Sequence, residues 1–389
     1  MKTAKRMDLI PPYLFAELDK KKADAISRGV DVINLGIGDP DMPTPAHIIN
    51  SMKNHVENPE THNYPPYDGT KDFRQAVATF YNKRFGVELN PEKEVISLIG
   101  SKEGLAHIHL AFTDPGDYVL VPDPAYPVYK VTSHFVDANP YSMPLLAENG
   151  FLPDLTKIPS DIANKSNLMF LNYPNNPTGA IATVDFFDEV VQFAKKHDIL
   201  VCHDLAYSEM AYDGYKAPSF LQAKGSKDVC IEFNSLSKTY NMTGWRIGMA
   251  VGNEYAVQAL GRIKNNIDSG VFKAIQGASI DALLGPQDHI DTMNDIYKNR
   301  RDIVTEGLNK LGWNLKPLKA TFYMWIPTPK GFSSTEFSAF LLEKAGIIVP
   351  PGIGYGEYGE GYIRIALTAP EERIKLAIRR MEENNIVFS

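Results

Sequence analysis

At 389 residues the chain is longer than one hydrophobic core ordinarily serves, which predicts two domains sharing a cleft. A hydrophobic fraction of 44%, a charged fraction of 22% and a net charge of −7 without any basic block describe an ordinary globular protein and argue against a nucleic-acid partner. No stretch nears the roughly 18 apolar residues of a membrane span, no signal-peptide core follows the basic start, and Cys202 and Cys230 each lie inside apolar runs; a cytoplasmic protein with no disulfide or metal framework is expected.

The first elements are irregular. Leu9-Ile10-Pro11-Pro12-Tyr13-Leu14-Phe15 is an apolar arm that two prolines keep from folding on itself, so it is expected to pack on a partner subunit. A charged helix follows from about Ala16 to Arg28, ended by Gly29. Val32 to Leu35 reads as a short strand, and Gly36-Ile37-Gly38-Asp39-Pro40-Asp41 as a turn where a ligand can approach the backbone.

From residue 46 to about 288 strand, loop and helix alternate, which predicts an α/β domain. The apolar runs Val95 to Ile99, Tyr118 to Val121, Leu168 to Leu171, Ile199 to Cys202 and Cys230 to Phe233 suit buried, mainly parallel strands. Val184 to Lys196 reads as a helix with Thr183 as its N-cap. Beyond Gly285, Ile290, Met293, Tyr297, Val304, Leu308 and Leu311 mark one long helix that bridges two domains. A strand at Phe322 to Ile326, a helix at Thr335 to Lys344 closed by Gly346, a strand at Tyr362 to Leu367 and a last helix from Pro370 to Asn385 make a small α/β unit. Residues 1–45 are expected to join 289–389 in that unit, beside a large domain at 46–288.

Ligands of open α/β sheets gather beyond the carboxyl ends of the strands, so the residues that follow each apolar run carry the argument. After Ile99 comes Gly100-Ser101-Lys102-Glu103-Gly104 at a helix start: Ser101 is either a simple N-cap or, with Lys102, part of a phosphate site. After Val121 comes a proline-braced Tyr126, and after Leu171 the amide-rich turn Asn172-Tyr173-Pro174-Asn175-Asn176-Pro177-Thr178-Gly179; either alone is a turn. Asp204 ends a buried strand, where a carboxylate is costly unless it meets a cation or a strong donor, and Tyr207 follows it. After Phe233 stands Ser235-Leu236-Ser237-Lys238, with Arg246 eight residues on from the lysine. A phosphate cradle, an aromatic plate, an amide, a carboxylate with a phenol, and a lysine among hydroxyls are together what pyridoxal phosphate requires.

These motifs, Asn176-Pro177-Thr178-Gly179, Asp204 with Tyr207, Ser235-x-Ser237-Lys238 and Arg246-x-Gly248, resemble those of the class I aminotransferases, the fold-type I enzymes dependent on pyridoxal 5'-phosphate. The resemblance implies a large domain with a mainly parallel seven-stranded sheet, a small domain from both termini, and a homodimer with shared active sites. It assigns Lys238 to the Schiff base and proton shuttle, Asp204 to the pyridinium nitrogen, and Tyr207 and Asn176 to the ring's phenolate oxygen. Tyr126 would stack on the ring, and Ser101, Lys102, Ser235, Ser237 and Arg246 would hold the phosphate with Tyr64 of the other subunit. Arg364 and Gly38 would bind the substrate carboxylate.

Within that family, Leu9 to Phe15, Gly36 to Asp41, Ile99 to Gly104 and His203-Asp204-x-Ala206-Tyr207-Ser208-Glu209 are most similar to prokaryotic LL-diaminopimelate aminotransferases, which serve lysine biosynthesis using glutamate. Where the plant branch has a glutamate near the distal end of the substrate, this sequence has Tyr67. Aspartate or alanine aminotransferase, or a carbon–sulfur lyase, are the alternative activities. A cofactor-binding regulator is a third reading, against which stands the lack of room for a DNA-binding module ahead of the fold. Gly354-Tyr355-Gly356-Glu357-Tyr358-Gly359 matches the dinucleotide pattern GxGxxG but leads into a strand, and is set aside. His107 and His109 face different ways, and His197, Cys202 and His203 lack zinc-ligand spacing; structural roles are expected.

Overall fold

The computed structural model describes residues 1–10 and 14–388. Its strands in chain order are β1 (Ile33–Asn34), β2 (Val95–Leu98), β3 (Tyr118–Asp123), β4 (Asn139–Pro144), β5 (Ser166–Asn172), β6 (Leu200–Asp204), β7 (Cys230–Ser235), β8 (Gly248–Gly252), β9 (Tyr323–Pro327), β10 (Ile347–Ile348) and β11 (Tyr362–Ala366). Seven form one sheet in the order β2-β8-β7-β6-β5-β3-β4, parallel throughout except for β8, which is antiparallel to both neighbours. The apolar runs read as strands are β2, β3, β5, β6 and β7. β4 and β8 escaped that reading because β4 carries Pro140 and Pro144 at the sheet edge, where proline is tolerated, and β8 begins and ends in glycine.

Alternation along each strand sends side chains to two faces. Leu168, Phe170, Cys202, Ile231 and Phe233 pack with the helices Ser101–Phe112, Val128–Phe135 and Glu254–Lys264. Met169, Leu171, Val201 and Cys230 pack with Lys71–Phe85, Val184–His197 and Lys273–Leu284 on the opposite side. With both faces covered, the strands read as unbroken apolar runs. Thr183 caps its helix as expected, accepting from Phe186 N at 3.2 Å. Ser101 is not an N-cap: Gly100 holds that position at φ 76°, without a capping side chain, and Ser101 is the first helical residue.

A third core gathers both ends of the chain. β1 pairs in parallel with β10, and β9 antiparallel with β11. Ile33 and Leu35 pack there with Trp313, Phe337, Ile365 and Ile374. The 23-residue helix Asp288–Lys310 turns Met293, Tyr297, Val304 and Leu308 into it, at the spacing the sequence showed. Arg300 of that helix grips Asp41 through two nitrogens at 2.7 and 2.8 Å, and Asp31 accepts from Arg373 at 2.7 Å and Arg380 at 2.6 Å. The apolar arm expected to meet a partner is centred on 11–13, outside the described residues. Among the described residues no helix is long and apolar enough to cross a membrane.

Candidate active site

Parallel strands bring their carboxyl ends to one edge, and β2, β3, β5, β6 and β7 all end there. Because β8 is antiparallel, its beginning lies at that same edge, and this is how Arg246, just ahead of Gly248, joins the other five walls. Together they line a cavity of about 500 Å³ with Gly38, Ser101, Lys102, Tyr126, Asn176, Asp204, Tyr207, Ser235, Ser237, Lys238, Arg246 and Arg364. Tyr64 and Tyr67 are not among the lining residues of this chain's cavity; they stand on its surface, 84% and 49% exposed.

Asp204 ends β6 on the Cys202 face. Tyr129 donates to its Oδ2 at 2.8 Å, while the buried Oδ1 has no partner. Burial pushes this carboxyl up to about 6, against the pull of the Tyr129 hydroxyl. An acceptor left open in this way costs roughly 1–3 kcal/mol, and a protonated ring nitrogen beside it would offset that cost. Asn172 braces the floor, donating to Asp204 O at 2.7 Å and accepting from Asn176 N at 2.8 Å. Burial, then the neighbouring Tyr323, raises the Tyr207 phenol well above its ordinary value.

Ser235 closes β7 and caps the single turn Leu236–Thr239, its Oγ accepting from Ser237 N at 3.1 Å. That turn aims Lys238, whose Nζ donates to Gly38 O at 2.8 Å. Burial, opposed by Asp39 and reinforced by the charges of Arg364 and Arg246, lowers its ammonium to about 8. Neutral amine, the nucleophilic form, is therefore accessible near neutral pH.

The anion wall is the opening of the 12-residue helix Ser101–Phe112, where the helix dipole favours negative charge. Burial, then the charge of Arg246, lowers the Lys102 ammonium. Two glycines keep the cradle open: a Cβ at Gly100 would run into the Arg246 guanidinium, and one at Gly248 would lie 2.9 Å from Ser101 N. Arg246 itself holds φ at 56°, a strained value for a residue with a side chain, and donates to Thr243 O at 2.8 Å.

Arg364 comes from β11 and is 1% exposed. It donates to Asn176 Oδ1 at 3.0 Å and to Gly36 O at 2.6 Å, with its guanidinium 4.1 Å from the Tyr323 ring centre. The residues present fit pyridoxal 5'-phosphate: an amine for its aldehyde, an open carboxylate oxygen for its ring nitrogen, an aromatic plate at Tyr126, and cations with hydroxyls for its phosphate.

Sequence reasoning missed Tyr129, Asp39, Thr243 and Tyr323. Tyr323 had a readable signal, since alternation puts it on one face with Trp325, opposite Arg364 in the β9–β11 pair. Away from the cavity, His109 is buried against Thr132 and Ser133, and His203 against Glu232 at 2.8 Å. Among the described residues, Glu103, His107 and Asp268 lie close enough for a metal, but Lys264 already bridges the two carboxylates at 3.1 and 2.7 Å.

Residues 30–381 match the family model of aminotransferase class I and II. The chain is 58% identical to the LL-diaminopimelate aminotransferase of Moorella thermoacetica over 98% of each chain. It is 56% identical to LL-diaminopimelate aminotransferase 2 of Trichormus variabilis over the whole of both. The substrate-bound BacF structure from Bacillus subtilis superimposes with a TM-score of 0.96 at 39% identity, covering 100% of this chain and 99% of that one. An amine, a carboxylate and an anion cradle at the strand ends of this fold, together with a family match over most of its length, make the chain a member of the class I and II aminotransferases.

Proposed function

We propose that the protein is an LL-diaminopimelate aminotransferase, which takes tetrahydrodipicolinate, glutamate and water to LL-diaminopimelate and 2-oxoglutarate in lysine biosynthesis. The observation that carries this specificity is the 58% identity, along nearly the full chain, to a relative of that name. The cytoplasmic setting belongs to the same proposal, and the buried, unpaired thiols of Cys202 and Cys230 suit a reducing compartment.

When bound, pyridoxal 5'-phosphate supplies an aldehyde carbon for an amine and a conjugated ring that accepts the electron pair left at the substrate Cα. Lys238 Nζ would be the amine that holds that carbon, and with its ammonium lowered to about 8 it would also be the group that takes up and returns the substrate's Cα proton. Asp204 Oδ1 would hold the proton on the ring nitrogen, Tyr207 and Asn176 would hydrogen-bond the phenolate oxygen, and Tyr126 would stack on the ring and fix its orientation. Ser101, Lys102, Ser235, Ser237 and Arg246 bind the phosphate. Arg364 takes the α-carboxylate through two parallel bonds, which a lysine cannot form, with the Gly38 backbone beside it. Tyr64 and Tyr67, outside this chain's own cavity, are assigned to the site of a second copy in a homodimer, Tyr64 at the phosphate and Tyr67 at the distal end of the substrate. Purified protein given LL-diaminopimelate and 2-oxoglutarate is expected to form glutamate; turnover of aspartate or alanine with none of diaminopimelate would reject the specificity.

A further inference from the structure

The glycine-rich run set aside as a dinucleotide motif closes around a carboxylate. Asp123 ends β3 three residues before Tyr126 and is 3% exposed. Its Oδ1 accepts from Tyr358 N at 3.0 Å, and its Oδ2 from Glu357 N at 3.3 Å and Ser142 Oγ at 3.2 Å. Beside it Ala125 N donates to Tyr355 O at 2.9 Å. Gly356 sits at φ 139°, and a Cβ there would overlap the Asp123 carboxylate, so glycine alone lets the chain wrap this closely. The run carries Tyr355, 5% exposed, whose ring centre is 5.0 Å from the Arg364 guanidinium and which stands edge-on to Trp325. One side of the contact therefore carries the aromatic plate of the cofactor site, and the other carries a ring lying over the arginine.

We infer that Asp123 is a positioning residue for substrate binding: it clamps the segment 355–358 so that Tyr355 holds the Arg364 guanidinium in place relative to Tyr126. The inference rests on the proposed assignment of Arg364 to the substrate carboxylate. A carboxylate that takes main-chain N–H bonds on both oxygens is a stronger and more directional tie than a neutral contact, and Tyr355, just ahead of those two N–H groups, is itself tied through its carbonyl to Ala125 N.

Asp123→Asn offers one oxygen in place of two and sets its NH₂ against a main-chain N–H. It should raise KM for both amino donor and oxo acid about tenfold, with kcat changed less than about threefold and apoenzyme affinity for pyridoxal 5'-phosphate within about twofold. Gly356→Ala breaks the same clamp from the other side and serves if Asp123→Asn does not fold. Because both remove one contact, the double variant should be no more than about twofold worse than the stronger single variant. Ser142→Ala, which spares both main-chain bonds, should leave KM within about twofold. Unchanged KM in both single variants, an additive double variant, or a loss confined to cofactor affinity and folding would overturn the clamp. Arg364→Lys separates the two ideas: if it raises KM while Asp123→Asn does not, only the clamp fails, and if it leaves KM unchanged the carboxylate assignment fails.

Discussion

Asp204 has its two oxygens in different situations, one bonded to Tyr129 and one buried without a hydrogen-bond partner, and this asymmetry makes its protonation state a reporter of the site. Its folded value, raised to about 6, lies above the ordinary aspartate value of about 3.9. A carboxyl raised on folding stabilises the cofactor-free protein fully below about pH 4, and that contribution is lost as pH rises through about 6. Apoenzyme stability should therefore decline between pH 4 and 6 relative to Asp204→Asn, and denaturation curves for the two proteins that stay parallel across the window would contradict this. A cationic ring nitrogen at Oδ1 pulls the value back down, so bound cofactor should flatten the decline. Asp204 was legible in the sequence because a carboxylate at the end of a buried strand is costly without a partner. Tyr129 was not, since a tyrosine on the inner face of a helix looks the same whether its hydroxyl is idle or bonded.

At the level of elements, the cradle depends on the meeting of the helix Ser101–Phe112 with the antiparallel β8. Gly100→Ala places a methyl group against Arg246 and strains a backbone held at φ 76°. Titration of the apoenzyme should show affinity for pyridoxal 5'-phosphate weakened at least about tenfold, equivalent to about 1.4 kcal/mol; unchanged affinity would mean that the anion is held elsewhere. The strands that end at the site were readable because both faces of the sheet are covered. Their order was not, and neither was β8, whose direction alone brings Arg246 to the right edge. The glycine-rich run shows the same limit. Its spacing matches a dinucleotide loop, and only its pairing with Asp123 across 234 positions reveals a clamp.

The whole molecule is tied together by the long helix. Arg300, 6% exposed, holds Asp41 of the N-terminal segment and also donates to Leu367 O at 3.0 Å. Asp41→Ala leaves that guanidinium buried without its carboxylate and should destabilise the protein by about 2–3 kcal/mol in denaturant titrations; a cost under about 0.5 kcal/mol would place it with ordinary surface substitutions. Ile33 and Leu35 of the N-terminal segment share a core with elements beyond Gly285, and β1 pairs with β10. The resemblance assigns Tyr64 to the phosphate of another subunit, and both Tyr64 and Tyr67 lie exposed outside this chain's own cavity. Borohydride reduction of the holoenzyme followed by peptide mass mapping tests the role of Lys238 most directly: the reduced cofactor is expected on Lys238, and a label on Lys102, on another lysine or on none would contradict that role.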